Sequence, residues 1–197
     1  IETLVSDYTE IASATILYFT PEWINIPAGL FTYGESALLI NINYDYEIMQ
    51  YEVTNSQFVS YLEEALATNE IYISSDSLFL TASDSLICDL NDDESRITWN
   101  ESKFSIDTGY ESYPISLVTW DGAYAFSTHY NWRLPTEREW EKASRGQAGT
   151  DYPWGNSPPT CELANYSGCY GGPIGVGLTS GLSPFGVYDM VGNVWEW

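Results

Sequence analysis

The sequence predicts an α+β domain with little regular secondary structure. Three observations carry this: short helices announced by capping signals, brief strand-like alternations, and a Gly-rich C-terminal third. At 197 residues, 44% hydrophobic and 16% aromatic, the chain can bury one sizeable core, and nothing indicates a second comparable domain.

Residues 1–22 read as an N-terminal extension or linker, because Pro21 cuts the β-prone run Ala12–Thr20 from the rest of the chain. The domain is assigned to 23–197. Ile24–Gly34 alternates apolar residues with turn formers, which gives a strand, a turn at Pro27–Gly29 and a second strand. Leu38–Tyr44 and Tyr46–Val53 alternate like half-buried strands. Thr54 with Gln57 makes a capping box, and Phe58, Leu62 and Leu66 recur at four-residue spacing, predicting a helix over 55–67.

Residues 68–112 are rich in Ser, Asp and Asn, with short β-like runs at Ile71–Ser74 and Ser77–Leu80. They read as hairpins inserted on the domain surface, since Tyr72, Phe79, Leu80, Trp99 and Phe104 need something to pack on. The acidic run Asp89–Glu94 lacks the glycine and terminal Glu of an EF-hand loop and reads as a solvated face.

Tyr113–Trp120 is a strand candidate, followed by Asp121 as N-cap of a helix over 122–129. The clearest helix lies in Arg133–Gly146: Thr136 caps, Glu139 completes a capping box, Lys142 and Arg145 occupy the last turn, and Gly146 stops it. Glu141 and Arg145 form an acid-first pair four residues apart, and Trp140 is placed to anchor the helix. Beyond Gly146 lie long loops, which in a compact domain call for binding, metal coordination or an irregular fold.

Acidic residues number 28 against six Lys or Arg, for a net charge of −22, and all six bases lie between Arg96 and Arg145. Such a surface repels phosphate backbones and anionic membranes, so no nucleic acid is expected as a partner. It suits the solubility of a secreted protein and could also attract Ca²⁺. No apolar run approaches the roughly 20 residues of a membrane span, so no membrane insertion is expected. The start lacks an initiator Met and a basic leader, so a signal peptide would lie outside this fragment, and an extracellular, periplasmic or cell-surface location is expected.

Of three cysteines, Cys161 and Cys169 stand eight apart and could close a small disulfide loop in an oxidising compartment, leaving Cys88 over. His129 is the only histidine, so no Cys/His zinc spacing exists, and its place near a helix end favours a structural role. Finally, Gly192-Asn-Val-Trp-Glu-Trp197 places two Trp around one Glu behind a Gly-Asn turn. Large rings call for a core and a buried carboxylate for a partner. A domain rarely ends on such a motif, so the chain is expected to be incomplete at its C-terminus.

Six segments in order carry a resemblance. Tyr51–Asn55, Pro114–Trp120, Arg133–Glu141, Tyr152–Asn156, Ala164–Tyr166 and Phe185–Trp197 resemble the motifs of the formylglycine-generating enzyme family, also called the sulfatase-modifying-factor family. The resemblance covers about Trp23 to the end. It implies an α+β, C-type lectin-like fold of low regular secondary structure. It also implies a calcium site with the Gly192 and Val194 carbonyls and the Glu196 carboxylate as ligands, Asn193 shaping the turn.

A second family calcium site matches Asn165 and Tyr166, but no Asp or Glu stands between Glu162 and Asp189 to complete it. The name-giving enzymes oxidise a client sulfatase cysteine to formylglycine with copper and O₂, through two cysteines that lie beyond the Trp-Glu-Trp segment. No catalytic residue is therefore expected in this chain, the positions falling downstream of Trp197, and copper is expected only if such a cysteine pair follows. Ser127 and Ser144 stand where those enzymes often carry structural cysteines. The expectation is a secreted or cell-surface, calcium-stabilised module able to meet a protein or peptide client; the alternative is a formylglycine-generating oxidase.

Overall fold

The computed structural model describes residues 21–197. The expected β-prone run Ala12–Thr20 and the start of the 1–22 extension lie outside them. Nine short strands and three helices occur among the described residues: β1 (Trp23–Ile26), β2 (Gly29–Tyr33), β3 (Leu38–Ile42), β4 (Tyr46–Met49), α1 (Asn55–Ala67), β5 (Ile71–Ser74), β6 (Ser77–Leu80), β7 (Leu86–Asp89), β8 (Ile97–Trp99), β9 (Phe104–Ile106), α2 (Trp120–His129) and α3 (Glu137–Arg145). These sheets are small and antiparallel, in the orders β1-β4, β2-β3, β5-β6-β7 and β8-β9. The Pro27–Gly29 turn thus joins two strands that do not pair with each other. Strand β1 returns to β4 and encloses the β2–β3 hairpin.

The capping boxes form as the sequence indicates. Thr54 accepts from the Gln57 amide while the Gln57 side chain accepts from the Thr54 amide, and Thr136 and Glu139 do the same at α3. Helix α3 stops at Gly146, and Glu141 pairs with Arg145. At α2 the cap is Thr119, not Asp121: the Thr119 hydroxyl accepts from the Gly122 amide and donates to the Leu86 carbonyl. Helix α2 therefore starts at Trp120, pressed on β7. A Cβ on Gly122 would come within 2.6 Å of the Ile87 carbonyl oxygen, so only glycine fits this contact.

Tyr113–Trp120 is no strand. It makes isolated bridges, Thr54 with Pro114 and Cys88 with Val118, and Leu117 takes a positive φ of 62° that no ladder tolerates.

The larger core gathers Phe58, Tyr61, Leu62 and Ala65 of α1, Phe126 of α2, and Ile71, Leu78, Ile87, Cys88, Leu90, Ile97 and Phe104 from the β5–β9 region. The 68–112 segment thus sends Ile71, Leu78, Ile87, Cys88, Leu90, Ile97 and Phe104 into this core, with β5 and β9 against α1 and β7 against α2, while its turns stay exposed. A smaller core holds Ile26, Ala143, Val187 and Met190, with Trp140 and Tyr46 packed against it. It joins β1, α3 and the C-terminal loop, and so places the Gly192-Asn193 turn beside Trp140.

Candidate functional site

Three distant segments meet on the Gly192-Asn193 turn: 50–54 between β4 and α1, the 161–180 loop, and 186–197. Gln50 stitches the first to the third: its side-chain Nε2 donates to the Gly186 carbonyl, and its main-chain oxygen accepts from the Tyr188 amide. Tyr51 and Tyr188 stack with centroids 5.0 Å apart.

Gly192 and Asn193 take positive φ values of 87° and 62°. The Asn193 side chain is used on both ends: its oxygen accepts from Asn165 Nδ2 (3.0 Å) and the Ile174 amide (2.9 Å), and its nitrogen donates to Glu52 Oε2 (2.7 Å) and the Ile174 carbonyl (3.2 Å). The Asn193 amide donates to the Asn165 carbonyl at 2.8 Å, and the Val194 amide donates to Glu52 Oε1 at 3.3 Å. Asn165 thus serves as scaffold for the turn, also donating to the Gly172 carbonyl, while the Tyr166 hydroxyl donates to the Pro159 carbonyl. Cys161 and Cys169 are joined by a disulfide that encloses Asn165, and Cys88 is a buried free thiol.

Three carboxylates lie close enough to influence one another. Burial pushes Glu52 up to about 9, against the hydrogen bond from Asn193 and with the nearby charges of Glu196 and Asp189. Glu196 is exposed as a residue, yet its carboxylate loses enough hydration to be pushed up to about 7, while Trp140 Nε1 donates to it at 2.9 Å. Burial also raises Asp189, although the Gly177 amide and Thr179 hydroxyl donate to it. No Lys or Arg is paired with any of the three among the described residues. Glu52 is not singled out by sequence reasoning; its one signal is a charge set between Tyr51 and Val53 in an alternating run.

Among the described residues no three His, Cys, Asp or Glu side chains are spaced to hold a metal ion. A cation on the turn would therefore rest on main-chain oxygens, with Glu196 as its carboxylate. Those oxygens are open to one, since among the described residues no donor reaches the Gly192 or Val194 carbonyl. Hard oxygen donors of this kind fit Ca²⁺.

The turn opens on a cleft of about 1020 Å³, lined by Trp23, Trp132, Arg133, Trp140, Tyr188, Trp195 and Trp197 together with Glu52 and Glu196. Arg133 is bound through both terminal nitrogens to buried Glu139. The two closing tryptophans do not enter a core among the described residues: Trp195 is fully exposed and Trp197 is 58% exposed, held by a bond from its indole nitrogen to the Val118 carbonyl. His129 lies elsewhere, between Glu64 and Glu70.

Small sheets, three helices and long loops tied through one Gly-Asn turn define a formylglycine-generating-enzyme-like α+β fold. A crystal structure described as CarF shares it, with a TM-score of 0.57 at 20% identity, over 90% of this chain and 79% of that one. The family model described as "Sulfatase-modifying factor enzyme 1-like domain" matches residues 10–197, and the chain belongs to this family.

The serine/threonine-protein kinase pkn1 of Chlamydia caviae is 36% identical over 74% of this chain and 21% of its own length. A formylglycine-generating enzyme of Thermomonospora curvata is 37% identical over 46% of this chain and 34% of its own. An inactive C-alpha-formylglycine-generating enzyme 2 of Bos taurus is 38% identical over 43% and 32%. The chain thus spans between about a fifth and a third of these relatives.

Proposed function

We propose that this domain is a secreted or cell-surface module, stabilised by calcium on the Gly192–Glu196 loop, that engages a protein or peptide partner without oxidising it. The observation that carries the non-catalytic reading is the pair Ser127 and Ser144, which stand where formylglycine-generating enzymes often have structural cysteines. Copper chemistry of the family type needs paired thiolates, soft ligands for Cu(I). Such a pair falls beyond Trp197 in the family; within residues 21–197 Cys161 and Cys169 are joined to each other, and Cys88 is buried with its thiol pushed up to about 12 by loss of hydration and the charges of Asp89 and Asp92. The disulfide and the charge of −22 support an oxidising, extracellular setting.

Calcium would supply positive charge to Glu196 and cross-link the turn. The chain's own residues do the rest: Trp140 orients the Glu196 carboxylate, and Asn165 and Ile174 fix Asn193. The test is thermal unfolding of the full chain with calcium or with chelator. Calcium raises Tm, and Glu196→Gln abolishes the rise; an unchanged Tm on chelation refutes the metal assignment. Formation of an aldehyde on a cysteine peptide by this chain with copper and O₂ would overturn the non-catalytic reading.

A further inference from the structure

We infer that Glu52 is the positioning residue of the Gly192–Glu196 loop, a side-chain clamp that fixes the turn before any cation arrives. This rests on the reading of that loop as a cation site. The loop cannot hold itself. Gly192 and Asn193 are consecutive residues at positive φ, a conformation that costs free energy at a non-glycine residue and persists only where surroundings enforce it.

Three residues enforce it, Asn165, Glu52 and Ile174, whose main-chain amide and carbonyl both meet the Asn193 side chain. On one side the Asn165 carbonyl and side-chain amide grip Asn193; on the other Glu52 accepts from the Asn193 side chain and the Val194 main chain. Asn193 has two side-chain N–H donors and two acceptor sites on its oxygen, and all four are engaged. Its work is therefore to pass the placement of its neighbours to the backbone.

Glu52 supplies what the Asn165 side cannot, an acceptor for the Val194 amide, which sets the orientation of the Asn193–Val194 peptide, the one lying between the peptides that carry the Gly192 and Val194 carbonyls. It comes from the short segment between β4 and the α1 capping box, which both ends anchor. A rigid strand-to-helix junction thus holds a loop 141 residues away in sequence. Groups that orient metal ligands without touching the metal typically change metal affinity about 10–100-fold when removed.

The experiment compares full-length wild type, Glu52→Ala and Glu52→Gln by two readouts: hydrogen exchange of the Asn193 and Val194 amides in chelator, and calcium affinity by titration calorimetry. Glu52→Ala is expected to speed exchange at Val194 while amides of α2 keep their protection, and to weaken calcium binding about 10–100-fold. Glu52→Gln keeps one acceptor and is expected to fall between the two on both measures. Should Glu52→Ala fail to fold, Glu52→Gln decides by the same shifts. Wild-type exchange at Val194 in the folded variants overturns the clamp. Faster exchange in a chain whose wild type binds no calcium leaves the clamp standing and refutes the cation reading beneath it.

Discussion

A Cβ on Gly192 would stand 2.2 Å from the carbonyl oxygen of Asn165, so the two backbones touch at a distance that only glycine allows. With φ at 87° the position is closed to other residues on conformational grounds as well. Gly192→Ala should lower stability by at least about 2 kcal/mol. Denaturant unfolding checks it, and a loss below about 0.5 kcal/mol would show that the turn yields without cost.

The Cys161–Cys169 disulfide closes the loop that carries Asn165 to this contact. A loop this short gains about 2.5 kcal/mol from the cross-link in the chain-entropy account. The double substitution Cys161→Ser with Cys169→Ser should cost that much in denaturant melts, and a reductant should lower the Tm of the wild type but not of the variant. Equal Tm values with and without reductant would show that the bridge contributes nothing.

His129 faces a carboxylate at each ring nitrogen, Glu70 at 2.8 Å from Nδ1 and Glu64 at 3.1 Å from Nε2. A neutral imidazole has one N–H, so both contacts are satisfied only by the imidazolium. Burial opposes the charge, but the hydrogen bonds and charges of Glu70 and Glu64 outweigh it, and the pKa is raised. Its contribution to stability is fully present below about pH 6.5, the unfolded value, and is lost as pH rises through the folded value. His129→Gln should remove that alkaline slope. As the only histidine, it gives one imidazole NMR titration; a midpoint at or below the unfolded value would defeat the account.

Glu139 behaves in the opposite sense. Burial would raise its pKa, but Arg133, Thr136 and Tyr44 hold it at about 2. A depressed carboxylate stabilises above its unfolded value and loses that contribution as pH falls toward the folded one. Glu139→Gln should therefore cost on the order of 2 kcal/mol at neutral pH and almost nothing once the pH falls to the folded value. Urea melts across this range check it, and a cost independent of pH would assign the role to shape instead of charge.

The helices are legible in the sequence because their signals are local: Thr54 with Gln57 and Thr136 with Glu139 announce themselves within four positions. The cap of α2 is not, since Asp121 and Thr119 are both good N-caps, and only the Leu86 carbonyl, 33 positions away, selects Thr119. The Tyr113–Trp120 run alternates like a strand, but no neighbouring strand runs beside it for more than a bridge. The Gly-Asn turn shows itself in its own two residues. The roles of its holders Glu52 and Asn165 do not, because nothing near them in the chain says that they face it.

Lys142 is fully buried, and its ammonium donates to the carbonyls of Pro27 and Gly29, more than a hundred positions earlier. The hydroxyl of Tyr46 likewise donates to the carbonyl of Glu139. The β1–β4 region can therefore form its hairpins early, since those pairings are local, but it cannot dock until α3 exists. In a chain made from its N-terminus at about 5–20 residues per second, the first half of the domain waits several seconds with its apolar faces uncovered. Long sequence separation of this kind slows folding and prolongs exposure to aggregation. The acidic residues spread through the waiting segment, without one Lys or Arg before Arg96, keep nascent copies apart during that interval by mutual repulsion.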